Sequence, residues 1–328
     1  MATAPAAAAP DPELTERLLR PAGIDTPVTR VSRLGDGVKA HVWLVEFGDR
    51  EPLALKIYTR AGTARREHAA YRAAAGAGLS LPTILGGALA AESAPDGYTL
   101  MTIAPGHPMN LSIAELSRER LDAIYREIGG LLTRIARIEC PSFGLVAGAE
   151  DGFASNAEFI DARLRASVEG FLSRGGNPHL ARGINELFEQ RAEALDACTS
   201  ARLCHGDMHP ENVRVDPAGA AARFVGAIDL EEAFAGDPAL DIVRTIHTAP
   251  FSSESLRSAL LEGYGETPPW LNEVYDAYFV YWELELWNFF AAGGSRRPLR
   301  SIARRIAKRL DVSRMRLARG RLGRVISR

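Results

Sequence analysis

The chain has 328 residues and a formal net charge of only −2, with 39 Lys or Arg against 41 Asp or Glu, and its length suffices for one large or two medium domains. Its three cysteines, Cys140, Cys198 and Cys204, lack the number and spacing of a disulfide framework or a metal cluster, which excludes disulfide-rich secreted proteins. A reducing cytoplasm is therefore the expected location. No segment approaches the roughly 20 apolar residues of a membrane-spanning helix, so we expect a soluble protein.

The N-terminal segment predicts a tail followed by a short helix. The first residues, MATAPAAAAP, have neither a basic start nor a sustained apolar core, so they do not form a signal peptide. Asp11 and Pro12 are typical of a helix N-cap and first turn, and Pro21 ends the helix. We therefore predict a disordered tail over residues 1–11.

Two predicted strands, residues 28–34 and 41–47, flank a loop with the pattern G-x-G-x-x-A. Because no helix follows this loop, the pattern does not predict a dinucleotide-binding fold. Gly35 and Gly37 would instead let a hairpin lie close to phosphate oxygens, although such glycines also occur in hairpins for structural reasons alone.

The next strand, residues 53–58, carries a lysine that needs a counter-charge. Alternation places its apolar residues on one face and Lys56 on the other, towards the glycine loop. Glu67, on a predicted helix over residues 63–75, can supply the charge. Protein kinases hold nucleotide phosphates with such a pair. The alternative is an edge-strand lysine that reaches water beside an ordinary surface glutamate.

A short apolar strand at residues 98–101 and a break at residues 104–106 mark a boundary between lobes. Helical periodicity prevails downstream, over residues 113–138 and 156–198. The predicted organisation is an N-terminal lobe over residues 12–103, a linker at 104–106, a C-terminal lobe over 107–295 and a basic helical tail over 296–328.

The most informative motif reads H-G-D-M-H-P-E-N-V and contains Asp207 and Asn212, five residues apart. The strand-like segments 213–215 and 223–228, with a turn between them, predict an antiparallel hairpin. The residue before the first strand and the residue after the second meet at the same end of such a hairpin, which places Asn212 beside Asp229.

An amide oxygen and a carboxylate beside phosphate oxygens suit Mg²⁺. Asn212 and Asp229 are therefore the predicted metal ligands, and Asp207 is free to accept a proton. Protein kinases use the same Asp and Asn spacing for the base and a metal ligand. The alternative, a turn that caps a helix, explains neither Asp229 nor the hairpin.

With these motifs the chain resembles the aminoglycoside phosphotransferase family, which is related to choline kinases. The matching segments are HGDMHPENV, IDLEEA and GDPALDIV, and the chain departs from the family at Leu230, where an aromatic residue is usual. The resemblance implies an α+β, protein-kinase-like bilobal fold with a small β-rich N-terminal lobe and a larger, mainly α-helical C-terminal lobe. It also implies binding of ATP or GTP with Mg²⁺, and the adenine edge would meet the linker backbone of Met101, Thr102 and Ile103.

The expected reaction is transfer of the γ-phosphoryl group of a nucleoside triphosphate to an acceptor hydroxyl, with Asp207 as base and Lys56 at the phosphates. His209 would bind a phosphate oxygen or orient the loop. Only seven residues separate Asp229 from Asp237, so no activation segment for a protein substrate fits there. A small-molecule acceptor is therefore predicted.

An aminoglycoside-like or other antibiotic is the first choice of acceptor. The alternatives are a choline-like amino alcohol or a sugar, and a catalytically silent kinase-like binding module. Asp237 is predicted to cap a helix, and Asp241, at the family's second acidic position, to brace the catalytic-loop backbone.

Charge is distributed unevenly along the chain. Residues 296–328 carry twelve Arg and one Lys against one Asp, a net charge of +12, so the remainder has a net charge of −14. An acidic body favours a cationic acceptor. The acids expected near its cleft, each of which could also lie on a solvated helix face, are Glu231, Glu232, Asp276, Glu283 and Glu285.

Aromatic residues from 275 to 290 could cage a quaternary amine, but their near-continuous helical spacing favours core packing. The basic tail predicts an amphipathic helix. We expect this helix to dock onto the acidic body of its own chain, and contact with nucleic acid or another anionic surface is the alternative.

Overall fold

The computed structural model describes residues 8–36, 39–146 and 152–326. Gly37 and residues 1–7 of the predicted tail lie outside these ranges. In the C-terminal helix the side chains are described as far as Met315.

The N-terminal lobe is built on one antiparallel sheet. Its elements are α1 (Pro12–Leu19), β1 (Val28–Asp36), β2 (Ala40–Phe47), β3 (Leu53–Tyr58), α2 (Thr63–Ala74), β4 (Ile84–Ala88) and β5 (Tyr98–Thr102). The strand order is β1-β2-β3-β5-β4. Val45, Leu55 and Leu100 of the sheet are completely buried and cluster with Leu19 of α1, so apolar burial holds this helix against the sheet.

The elements predicted for this lobe are confirmed, with small extensions. Asp11 accepts a hydrogen bond from the N–H of Leu14 at 2.7 Å and caps α1. Strands β1 and β2 form the predicted hairpin and continue further towards the loop, where Asp36 lies opposite His41. Strand β3 lies between β2 and β5, so the edge-strand alternative for Lys56 is wrong.

The C-terminal lobe is mainly helical. Its helices are α3 (Arg118–Ala136), α4 (Asn156–Ser173), α5 (Pro178–Glu189), α6 (Ala192–Asp196), α7 (Pro238–Thr248), α8 (Glu254–Tyr264), α9 (Leu271–Ala292) and α10 (Leu299–Ile326). Its short strands are β6 (His107–Pro108), β7 (Gly144–Leu145), β8 (Arg202–Cys204), β9 (Val213–Asp216), β10 (Arg223–Ala227) and β11 (Phe234–Gly236). They form two sheets, ordered β10-β9-β6 and β7-β11-β8.

The helical character predicted from the periodicity is confirmed. Ser117 caps α3 by accepting a hydrogen bond from the N–H of Arg120 at 3.2 Å. The second helical region divides into α4, α5 and α6, and the first break follows at Gly175, which has a positive φ of 86°. The α+β architecture predicted from the sequence is therefore observed, with the sheet in the N-terminal part and the helices in the C-terminal part.

The basic helix α10 docks onto α9 of the same chain. Ile302, Ile306 and Leu310 are buried, as expected for the apolar face of an amphipathic helix. Arg305 donates to both oxygens of Glu283, and Nη1 of Arg309 lies 3.1 Å from Oδ1 of Asp276. The docking expected from the charge distribution is confirmed. Within the described ranges, none of the helices combines the length and apolar character needed to cross a lipid bilayer.

These contacts correct the expectation for the acidic residues of α9. Glu283 is completely buried and Asp276 is 2% exposed, so neither lies on a solvated helix face or lines an open cleft. Core packing is confirmed for Tyr278, Tyr281 and Trp287, which are all buried. Internal ion pairs therefore neutralise acids that were expected to attract the acceptor.

Candidate active site

Lys56 of β3 is the centre of a buried charge cluster between the two lobes. Its Nζ lies 2.9 Å from Oε2 of Glu67, 2.9 Å from Oδ1 of Asp229 and 3.0 Å from Oε2 of Glu231. Burial acts to lower the pKa of Lys56, but these carboxylates raise it well above the ordinary value. Lys56 is therefore a charged ammonium, and it joins the sheet to the segment that follows β10.

Glu67 of α2 is fixed by a second set of hydrogen bonds. The hydroxyl of Tyr58 donates to its Oε2 and lies 2.8 Å from Oγ1 of Thr99. Burial raises the pKa of Glu67, although Lys56 acts in the opposite direction. Its second oxygen, Oε1, is buried and has no hydrogen-bond partner among the described residues. The predicted pairing of Lys56 with Glu67 is present.

The acidic cluster around Lys56 fits a hard divalent cation. Oxygen atoms of Glu67, Asp229 and Glu231 lie within 4.8 Å of one another. Three carboxylates around one ammonium leave an excess of negative charge, and an all-oxygen donor set with an unpartnered oxygen suits Mg²⁺ better than zinc. Glu231 was expected at the acceptor cleft, and its contact with Lys56 corrects that placement. The sequence carried one sign of this contact, because Glu231 lies only two residues after Asp229.

The hairpin of β9 and β10 brings Asn212 and Asp229 to one end, as predicted. Val213 lies opposite Ala227, and the N–H of Ile228 donates to the carbonyl of Asn212 at 2.9 Å. The side chain of Asn212 donates through Nδ2 to the carbonyl of Asp207 at 2.9 Å, which leaves its amide oxygen for other partners.

Asp229 has a backbone conformation that is uncommon for a residue other than glycine, with φ of 72°. Its carboxylate accepts a hydrogen bond from the N–H of Glu231 at 3.3 Å. Leu230 is completely buried, so the departure from the family's usual aromatic residue leaves a packed position. Local strain of this kind is typical of functional sites.

The carboxylate of Asp207 is held by two basic side chains. Nη2 of Arg244 donates to its Oδ1 at 2.7 Å, and Nε2 of His209 lies 3.4 Å from its Oδ2. Burial acts to raise the pKa of Asp207, but the hydrogen bond from His209 and the charge of Arg244 lower it to about 2. Asp207 is therefore ionised at neutral pH. Arg244 was not predicted from the sequence, although it follows Asp241 by three residues on the same face of α7.

Helix α7 holds one face of the loop of residues 205–212, which contains Asp207 and is the predicted catalytic loop. Asp241 accepts hydrogen bonds from the N–H groups of His205 at 2.7 Å and Gly206 at 3.0 Å, which is the bracing role predicted for it. The hydroxyl of Thr248 donates to the carbonyl of Met208 at 3.1 Å. Asp237 caps α7 by accepting from the N–H of Ala239 at 2.9 Å, also as predicted.

Gly206 is the one loop position that needs glycine. Its φ is 77°, and a Cβ atom there would lie 2.1 Å from the carbonyl oxygen of Glu232. The catalytic loop therefore packs directly against the segment that carries Asp229 and Glu231, so the loop and the acidic cluster have a fixed relative position.

The glycine hairpin reaches the same segment through an ion pair that the sequence analysis missed. Lys39, which lies in the loop just before β2, contacts Oε1 of Glu232. Glu232 is thus a fourth acid of the expected acceptor set, after Asp276, Glu283 and Glu231, that pairs with a cation of the chain itself. Gly35 lies in β1, and a Cβ atom there would meet nothing within 4 Å. The open space beside Gly35 is compatible with a loop that covers nucleotide phosphates.

The linker candidates lie at the end of β5. Met101 is 8% exposed and pairs with Ala54 in the sheet. The N–H of Thr102 donates to the carbonyl of Thr83 at 3.0 Å. Ile103 follows the last residue of the strand. None of the three takes part in the hydrogen bonds described above for Lys56 and Asp207, so their nucleotide contact stays a prediction.

Comparison with known proteins identifies the family. The sequence model of the phosphotransferase enzyme family (APH) matches residues 30–274. The viomycin phosphotransferase of Streptomyces vinaceus is 28% identical over 161 residues, which cover 49% of this chain. The matched region spans 53% of the length of that relative, about half.

Solved structures with the same fold are aminoglycoside phosphotransferases. A thermostable mutant of aminoglycoside phosphotransferase APH(4)-Ia in its apo form superposes with a TM-score of 0.68 at 18% identity, covering 90% of this chain and 97% of that one. The GDP complex of wild-type aminoglycoside 2'-phosphotransferase-IIIa gives 0.68 at 13% identity, covering 93% and 100%. These similarities confirm the fold.

The family match covers well over half of the chain and includes every predicted site residue. The resemblance noted for the catalytic and acidic motifs is confirmed by it. The chain belongs to the phosphotransferase enzyme family.

Proposed function

We propose that this phosphotransferase moves the γ-phosphoryl group of ATP or GTP to a hydroxyl group of an aminoglycoside-like or other antibiotic. The observation that carries the proposal is the convergence of Lys56 from one lobe with Asp229 from the other, beside the loop that presents Asp207. Phosphoryl transfer depends mainly on alignment and charge neutralisation, and this arrangement supplies both.

Lys56 is the proposed ligand of the nucleotide phosphates. Its contacts with Glu67 of the same lobe, at 2.9 Å, and with Asp229 of the other lobe, at 2.9 Å, fix the ammonium in a position that both lobes define. Gly35 and Gly37 are proposed to cover the phosphates, and the backbone of Met101, Thr102 and Ile103 to meet the base.

Asn212 and Asp229 are the proposed ligands of Mg²⁺, which when bound neutralises charge on the phosphate oxygens. The hairpin register that places Asn212 opposite Ile228 supports this assignment. Glu231 and Glu67 add negative charge at the same place. A solution test is the dependence of nucleotide binding on Mg²⁺.

Asp207 is the proposed group that receives the acceptor hydroxyl. Its side chain is 24% exposed, so an incoming alcohol can reach a carboxylate that is otherwise held by Arg244 and His209. In this position Asp207 would orient the hydroxyl oxygen and take its proton, as the bond from that oxygen to the γ-phosphorus forms and the bond from the γ-phosphorus to the departing nucleoside diphosphate breaks. The contact of His209 with Asp207 supports its orienting role over a direct phosphate contact.

The names and ligands of similar proteins support an antibiotic acceptor. One relative is named for viomycin, and solved structures with this fold contain kanamycin or hygromycin B. Binding of a quaternary amine by aromatic residues of α9 has less support, because two of their rings are already covered by side chains of the same protein. The guanidinium of Arg244 lies 3.7 Å from the ring of Trp282, and His247 stacks on Phe279 at 4.7 Å.

The test is an acceptor panel with the purified protein. Viomycin, hygromycin B, kanamycin, choline and glucose are each incubated with Mg²⁺ and ATP or GTP, and mass spectrometry detects a phosphorylated product. Asp207→Ala should abolish turnover and retain nucleotide binding, whereas Asp196→Ala, an exposed aspartate of α6, should behave as wild type. Near-normal turnover by Asp207→Ala would refute the assigned role, and phosphorylation of choline alone would exclude the antibiotic acceptor.

A further inference from the structure

Arg244 is a largely buried cation in direct contact with the proposed catalytic carboxylate. Its side chain is 17% exposed, and its Nη2 donates to Oδ1 of Asp207 at 2.7 Å. The carbon of its guanidinium group lies 3.7 Å from the ring centroid of Trp282 in α9. One face of the guanidinium thus rests on an indole while its edge holds a carboxylate, which restricts Asp207 to one orientation.

The carboxylate of Glu283, the residue after Trp282 in α9, links α7 to α10. Nε2 of His247, one turn beyond Arg244, lies 2.9 Å from Oε1 of Glu283. Glu283 is completely buried, and Nη2 of Arg305 in α10 donates to its other oxygen at 2.7 Å. The carboxylate therefore has one cationic partner on α10 and an imidazole partner on α7.

These supporting residues lie beyond the part of the chain that the family model matches. That match ends at residue 274, whereas Trp282, Glu283 and Arg305 all follow it. Arg244, on which they act, lies within the matched segment. Residues beyond the matched segment therefore contact Arg244, which in turn contacts Asp207.

We propose that Arg244 is a positioning residue for Asp207, and that α10 maintains this position through Arg305 and Glu283. The inference rests on the proposed role of Asp207 in the reaction. Loss of Arg305 would break the two-point contact that holds α9 against α10 at Glu283, and α9 would move at this position. Trp282, adjacent to Glu283 in α9, would move with it and take the support from Arg244.

The Arg244 step is tested by two substitutions that differ in shape and charge. Arg244→Gln removes the charge, and Arg244→Lys keeps the charge but loses the planar group that stacks on Trp282. With Mg²⁺-ATP, and with viomycin, hygromycin B and water as acceptors, we expect kcat of Arg244→Gln to fall about a hundred-fold while the KM for ATP changes less than about threefold. Arg244→Lys should recover part of kcat.

The α10 step is tested with neighbouring arginines on one helix. Arg305→Ala should lower kcat about tenfold and increase deuterium uptake in the peptide that covers residues 205–213. Arg304→Ala is the matched control, because Arg304 is an exposed arginine of the same helix and, among the described side chains, has no ion pair with α9. It should leave both measurements unchanged.

A double variant separates positioning from folding. Arg305→Ala with Glu283→Gln removes the pair without leaving a buried charge, so it should fold and still show the lower kcat. Wild-type kcat in both Arg244 variants would overturn the first step. Wild-type kcat and deuterium uptake in the double variant would overturn the second. An active Asp207→Ala would instead refute the proposed function, while an inactive Asp207→Ala with normal Arg244 variants would refute this inference alone.

Discussion

The ammonium group of Lys56 and the carboxylate of Asp229 lie 2.9 Å apart, although the two residues are separated by 173 positions and belong to different lobes. This ion pair joins the central strand of the N-terminal sheet to the segment after the β9 and β10 hairpin. Glu67 and Glu231 complete the surroundings of Lys56, so one buried cation serves three acids.

Removal of that cation should destabilise the protein. Lys56→Met leaves three clustered carboxylates without their shared partner, and we expect the free energy of unfolding to fall by about 3–5 kcal/mol. Urea denaturation at pH 7 measures it, and Lys308→Met, which removes an exposed lysine of α10, serves as the control. An equal effect of the two substitutions would contradict a structural role for the buried cluster.

Gly206→Ala should disrupt the catalytic loop. The positive φ alone costs about 1 kcal/mol for alanine, and the added Cβ would also lie 2.1 Å from the carbonyl oxygen of Glu232. We expect a larger loss of stability than for Gly175→Ala, where φ is 86° and nothing lies within 4 Å. Chemical denaturation compares the variants, and turnover should be lost only at Gly206. Equal stability losses would show that the close approach does not constrain the loop.

Asp237 should make stability depend on pH. Burial raises the pKa of Asp237 to about 6, although Ala239, Tyr278 and Trp270 donate hydrogen bonds that favour the ionised form. In the unfolded chain an aspartate has a pKa of about 3.9. Between these values the folded state holds a proton that the unfolded state has lost, so stability falls as the pH rises through this window and is constant above it.

The expected loss is about 3 kcal/mol between pH 4 and pH 7. Asp237→Asn has no such proton, so the unfolding free energy of the wild type should fall relative to that of the variant by about 3 kcal/mol as the pH rises from 4 to 7. Urea denaturation at a series of pH values measures it. Parallel curves for the two proteins would show that Asp237 titrates normally.

Metal dependence should be lost with Asp229. Wild-type protein is expected to bind ATP more tightly with Mg²⁺ than with a chelator present, and Asp229→Asn should lose most of that difference. Isothermal calorimetry measures both affinities. Glu211→Gln removes an exposed acid next to Asn212 and should retain the full difference. If Asp229→Asn kept the full effect of Mg²⁺ on ATP affinity, Asp229 would not be a ligand of the metal.

The parts of the site that lie close together along the chain could be predicted from the sequence. The turn between β9 and β10, the spacing of Asp207 and Asn212, and the cap at Asp237 are all local patterns. Pairing of Lys56 with Glu67 was also predicted, because a lysine in an apolar strand requires a nearby acid.

Contacts made by packed helices could not be read in the same way. Arg244 reaches Asp207 across 37 positions, and its orientation depends on Trp282 in another helix. The net charge of the chain was a misleading guide to the acceptor for a similar reason. Counting charges treated Asp276 and Glu283 as available to a cationic acceptor, whereas tertiary packing pairs them with Arg309 and Arg305.

Helix α7 contributes Asp241, Arg244 and Thr248 to successive residues of the catalytic loop. The loop and the helix therefore form one hydrogen-bonded unit that carries the proposed catalytic carboxylate. Under the proposed role of Asp207, a different acceptor alcohol would require sequence changes around this unit and none within it.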